Sequence, residues 1–237
     1  MAVGTLWVFG DSFDYAYELT NENHEYYKKY KTPDNKHYSE HIADKYDLDI
    51  QTIAFPGHGS ANILYYLSKG LPHIKENDYV VLGMSDVNRL PGFEPINDGG
   101  YYMASFSVWY DKEDEEIMKS LSSSFYQTLE KYTIDCIEPV HHYHAEFYYR
   151  IFSNILKSIR CKKVFGYTTD EWGIHENIHT HTNGEIENYH WSFDGSKSFA
   201  EKIMKIWETE DFHFEPNKLN KKFNDIPLGF PKKFSIL

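Results

Sequence analysis

A chain of 237 residues can bury the core of one large domain or two small ones, so it needs no disulfide or metal staple. Its formal charge of −12, with Lys and Arg gathered only into short pairs such as Lys28-Lys29 and Lys221-Lys222, repels a phosphate backbone and argues against nucleic acid as a partner. The longest apolar runs, LWVF and YVVLG, are far too short to cross a bilayer, and the opening MAVGTLWVFGDSF lacks a basic leader. The expectation is a soluble cytoplasmic protein with no membrane partner, its two cysteines, Cys136 and Cys161, buried as free thiols.

Taken in chain order, the first element is a strand over 5–9 (TLWVF) that breaks at Gly10. A helix over about 37–46 follows, then a second strand at 50–55 (IQTIAF) closed by Pro56-Gly57. Next come a helix over about 60–69, a third strand at 79–83 (YVVLG), helices over about 113–132 and 139–160, a fourth strand at 162–168 (KKVFGYT), and a helix over about 194–207. The four strands are dense in apolar residues without clean alternation, which is how strands buried on both faces read. In the helix over 139–160, Phe147, Ile151, Ile155 and Ile159 recur four apart and predict an apolar stripe facing the sheet. Strands alternating with helices give a mostly parallel sheet covered on both faces, in one domain spanning 1–237. The Gly-, Pro- and aromatic-rich stretch at about 91–112 reads as an inserted loop or hairpin, and about 208–237 as a tail on the surface.

Where the first strand ends, the chain reads LWVFGDSFDY. A serine at the C-terminal edge of a parallel strand, where a helix begins, has its hydroxyl at the crevice and helix amides nearby to hold negative charge. The triplet Gly10-Asp11-Ser12 is also ordinary turn chemistry, so it needs a base to mean more. Of 13 histidines, the best placed is His190, in ENYHWSFDGSKSFA, three residues after Glu187 and just before a helix. Glu187 at that spacing is suited to hold the imidazole in the tautomer that takes a proton from Ser12.

These residues resemble the GDSL, or SGNH, hydrolases, serine esterases and lipases with a flavodoxin-like three-layer α/β sandwich. The resemblance implies Ser12 as nucleophile, His190 as base and Glu187 as the acid. The block IAFPGHGSAN at 53–62 resembles the one that supplies an oxyanion glycine, here Gly57, while His190, Ser192, Gly195, Phe199 and Ala200 match the histidine block. Two departures stand out. The acid is Glu187 where the family usually has Asp. In YVVLGMSDVNRL, Ser85 occupies the position of the family's oxyanion asparagine, with Asn88 as its possible substitute. Branches of the family from phages and environmental bacteria have Ser or Thr there and an arginine shortly after, as at Arg89. The resemblance thus implies an oxyanion hole from Ser12, Gly57, Ser85 and Asn88, and substrate contacts from Asp11, Asn62, Asp86 and Arg89. It implies no cofactor and no metal, and a small ester or acylated carbohydrate as substrate, cleaved through an acyl-enzyme.

Three rival readings compete with this one. His175, His179 and His181 invite zinc, but the segment lacks the HExxH arrangement and carries the turn signal Asn183-Gly184; His141, His142 and His144 read as the solvated first turn of a helix. A nucleotide site is disfavoured by the absence of a GxxxxGK[ST] loop. A weakly active or inactive binding protein on the hydrolase scaffold is the main alternative, favoured by Ser85.

Overall fold

The structure is a computed structural model that describes residues 2–85, 90–95, 101–106, 141–168 and 192–214, with 17–18, 90–95, 101–106 and 141–145 described by backbone alone. Five strands form one sheet: β1 (Gly4–Gly10), β2 (Leu48–Ala54), β3 (Tyr79–Met84), β6 (Lys163–Thr168) and β7 (Phe212–Phe214). Their spatial order is β2-β1-β3-β6-β7 and every neighbouring pair is parallel, which is the flavodoxin-like order. Two further strands, β4 (Leu90–Pro95) and β5 (Tyr101–Phe106), pair antiparallel as a separate two-stranded ribbon within the stretch expected to be an insertion.

The strand order dictates the layers. From β1 the chain crosses to β2 on one side through α4 (Tyr38–Tyr46), then returns past β1 to β3 through α5 (Ser60–Gly70). Right-handed crossovers running in opposite directions must cover opposite faces. The core divides accordingly. Leu6, Val8, Tyr79, Val81, Phe165 and Tyr167 pack with α4 and α7 (Phe193–Trp207), whereas Phe9, Val80, Leu82 and Val164 pack with α5 and α6 (His141–Ser158). Strand β3 is buried along its whole length, as an apolar run without alternation requires.

Three differences from the sequence reading have physical causes. The buried face of α6 is Phe152, Ser153 and Leu156, while Phe147 is 57% exposed. Steps of four residues drift about 40° each around a helix, so the stripe drawn four apart starts off the contact face at Phe147 and reaches it only further along, where Ile155 and Ile159 pack half-buried against the core. The expected tail begins within the fold, since Phe212–Phe214 extends the sheet beside β6, and only residues from 215 lie outside the description. Short helices α1 (Ser12–Tyr15), α2 (Tyr17–Thr20) and α3 (Glu25–Tyr30) fill the stretch between β1 and α4, too short to show a helical period. The expected helix over 113–132 lies outside the described residues, as does Cys136; Cys161 is a free, half-buried thiol whose pKa burial raises to about 11. No described helix is long and apolar enough to cross a membrane.

Candidate active site

In a sheet of this order the connections leave β1 in opposite directions, and a crevice opens at the C-terminal ends of β1 and β3. Ser12 stands there. It is the first residue of α1, directly after β1, and is 8% exposed. Asp11 is the N-cap: its Oδ1 accepts from the Phe13 amide at 3.0 Å, fixing the turn that presents Ser12.

The turns after β2 and β3 meet this one. Ser85, buried just past β3, donates its hydroxyl to Asp11 Oδ2 at 2.5 Å, and Ser60, fully buried at the start of α5, donates to the Ser85 carbonyl at 2.6 Å. Asp11, Ser85 and Ser60 thus join three loops at one edge of the sheet. A hydroxyl carries a single proton, so Ser85, expected to donate to an oxyanion, spends that proton on Asp11 in this arrangement. Gly57 is exposed with φ 79°, a backbone conformation that by itself calls for glycine. Gly59, which the sequence reading passed over, is buried as the N-cap of α5, and Asn62 is wholly buried in the first turn of that helix.

A second polar centre lies directly beneath. Asp14, 1% exposed, accepts a hydrogen bond on Oδ1 from Tyr167 at 2.8 Å and another from Tyr38. Burial, reinforced by the nearby Asp11 carboxylate and only partly opposed by the phenols, raises its pKa to about 8. Its Oδ2 has no hydrogen-bond partner among the described residues and lies against two glycines. A Cβ at Gly10 would sit 1.7 Å from Oδ2, and one at Gly83 2.3 Å from it. The glycine of the Gly10-Asp11-Ser12 triplet is therefore required by the carboxyl that follows it. At the N-cap of α4, His37 is buried, and desolvation pushes its pKa down to about 3.

The histidine block is described from Ser192 onward. Ser192 caps α7, its Oγ accepting from the Gly195 amide at 3.0 Å, and Phe199 and Ala200 are buried. Helix α7 runs against the strands. Trp207 donates from Nε1 to the Val164 carbonyl near the start of β6, whereas Phe199 packs edge-on against Tyr167 near its end and against Tyr38. Ser192 lies seven residues before Phe199, about 10 Å farther along the axis, at the sheet edge that carries Ser12. His190 and Glu187, like Asp86, Asn88 and Arg89, lie outside the described residues, as do His175, His179 and His181. No group of three or more His, Cys, Asp or Glu among the described residues is arranged to hold a metal.

No family model matches the chain, and no curated protein matches it. Among solved structures it is similar to protein YxiM from Bacillus subtilis, with 15% identity and a TM-score of 0.32, covering 90% of this chain and 44% of that one. The chain spans less than half the length of that protein.

Proposed function

We propose that the protein is a serine hydrolase of the GDSL, or SGNH, type, cleaving the ester of a small or acylated-carbohydrate substrate through an acyl-enzyme. The observation that carries this reading is the position of Ser12: a nearly buried hydroxyl at the first helical position after β1, in the crevice of a parallel sheet, with the loops after β2 and β3 tied to its turn.

In this reading Ser12 Oγ attacks the ester carbonyl while His190, oriented by Glu187, takes its proton; the same imidazole then protonates the departing alcohol, and water repeats the cycle to release the acid. The course of α7 supports His190, two residues before its cap, as the base. His37 is nearer in sequence but, held neutral with a pKa of about 3, is too weak a base for the task. The oxyanion donors are backbone amides, that of Ser12 and one from the 57–59 turn, where buried Gly59 is better shielded from water than exposed Gly57. Asn88 supplies a side-chain donor if its loop turns inward, while Asn62, Asp86 and Arg89 are assigned to substrate contacts.

The commitment of the Ser85 proton to Asp11 favours a second reading, a scaffold that binds its ligand with little turnover. The two are separated by a screen of p-nitrophenyl esters of increasing acyl length beside acetylated saccharides. Turnover that is abolished in Ser12→Ala and favours short acyl groups supports the hydrolase. Turnover equal in wild type and Ser12→Ala, or absent throughout, supports the binder, and preference for chains beyond about eight carbons overturns the substrate class.

A further inference from the structure

The feature that the proposed chemistry leaves unused is the carboxyl two residues past the nucleophile. Asp14 is wedged where four elements meet: β1 at Gly10, β3 at Gly83, β6 through Tyr167 and α4 through Tyr38. Both glycines lack a side chain at the point where Oδ2 would strike it, and Tyr38 and Tyr167 are themselves wholly buried against Phe199. A polar side chain given this much dedicated space, two residues from Ser12 in the same short helix, fixes the height and tilt of that turn.

We propose that Asp14 is a positioning residue for Ser12: its uncharged carboxyl, held by Tyr38 and Tyr167 and seated in the notch formed by Gly10 and Gly83, sets where the nucleophile sits, and its ionisation unseats the turn. This rests on the reading of Ser12 as a nucleophile. An anion would press Oδ2, which has no hydrogen-bond partner among the described residues, against the glycine backbone beside the carboxylate of Asp11, and the two phenols and the Asp11 amide offset the cost of burial only in part. The charged form is therefore costly in place, and the structure gives up the geometry of the turn to solvate it. The groups facing Asp14 are Asp11, Tyr38 and Tyr167; burial and the neighbouring carboxyls hold both phenols well above their ordinary value of 10, so they keep their protons, and His37 at the N-cap of α4 stays neutral. Asp14 then titrates at about 8.

The test is the rate of covalent labelling of Ser12 by a fluorophosphonate from pH 6 to 9, in wild type, Asp14→Asn and Asp14→Ala, with near-ultraviolet circular dichroism confirming the fold. In wild type the rate rises as the base loses its proton and then falls about tenfold between pH 7 and 9 as the carboxyl ionises. Asp14→Asn keeps the shape without the charge: it labels within about threefold of wild type at pH 6.5 and shows no alkaline fall. Folded Asp14→Ala is slower than Asp14→Asn by roughly 10- to 100-fold at every pH, the cost of a displaced nucleophile. An alkaline fall that persists in Asp14→Asn overturns the proposal, and so does an Asn variant as slow as the Ala variant at pH 6.5, since the charge would then be needed. A wild type that labels at no pH sinks the hydrolase reading and the positioning role with it, an outcome distinct from an unchanged profile.

Discussion

Replacing Asp14 by Asn removes a titration that the fold has displaced by about four pH units, and the consequence for stability is calculable. The carboxyl rises from its ordinary 3.8 to about 8 on burial. In the unfolded chain it loses its proton near pH 4; in the folded protein it keeps the proton up to about pH 8. Between those limits the folded state binds one proton more, so rising pH favours unfolding by at most about 1.4 kcal/mol per unit. The stabilising effect of the buried acid is whole below about pH 4 and gone above about pH 8. From pH 5 to 7 wild type loses roughly 3 kcal/mol relative to Asp14→Asn, which has no proton to lose. His37 works the other way, since a ring held at about 3 makes the fold less stable as pH falls below 6.5, but it is common to both proteins and cancels in the difference. The assay is urea unfolding of both proteins at several pH values and constant ionic strength, with unchanged m-values certifying a common denatured state. A stability difference that stays constant from pH 5 to 7 refutes the assignment of the displaced proton to Asp14.

Other substitutions follow from the same geometry. Ser85→Ala leaves one oxygen of the buried Asp11 carboxylate without its 2.5 Å donor and should cost about 1–3 kcal/mol in chemical unfolding together with a drop in kcat, while Ser85→Thr, which keeps the hydroxyl, should recover both; an unchanged kcat in the folded Ala variant would remove Ser85 from the positioning of the turn. Gly10→Ala sets a methyl 1.7 Å from Asp14 Oδ2 and 2.4 Å from its Cγ and should be strongly destabilising, with Asp14→Ala in the same chain, which removes both atoms, relieving part of the loss; a double variant no more stable than Gly10→Ala would show that the clash lies elsewhere. At the opposite end of the sheet, Asp78 accepts from the Thr5 and Lys75 amides at 2.9 and 2.8 Å and from Trp7 Nε1 at 2.9 Å, so Asp78→Ala should lower the urea midpoint without altering Ser12 labelling in the folded protein. Cys161, pushed up to about 11, should react with iodoacetamide at pH 8 far more slowly than a free thiol, as read by intact mass.

Strands β1, β2, β3 and β6 were legible in the sequence as short runs rich in apolar residues, although β2, at the edge of the sheet, is exposed from Asp49 to Thr52 rather than buried on both faces, and the helices α4, α5, α6 and α7 because each is long enough to show its period. Strand β7 was not, since three residues reading FHF in a polar, proline-rich stretch carry no pattern; it forms because β6 leaves an edge to pair with. At the site, Ser12 and Asp11 announce themselves by standing where a strand gives way to a helix. Asp14 does not, because a carboxyl in a first helical turn ordinarily faces water, and its burial depends on Tyr38 and Tyr167, 24 and 153 residues away. The one local hint was a pair of glycines, Gly10 where the first strand breaks and Gly83 within the third, which turn out to be space for a side chain. Gly59 was overlooked beside Gly57 for a related reason: two glycines in one short turn look alike until φ 79° at one and a helix cap at the other tell them apart.

The most direct measurement is the mass-spectrometric location of a fluorophosphonate adduct on the intact protein. The expected result is a single adduct on Ser12, absent in Ser12→Ala and strongly reduced in His190→Ala. An unmodified Ser12 in the folded wild type, or a label that forms as fast without His190, would contradict a nucleophile activated by that histidine.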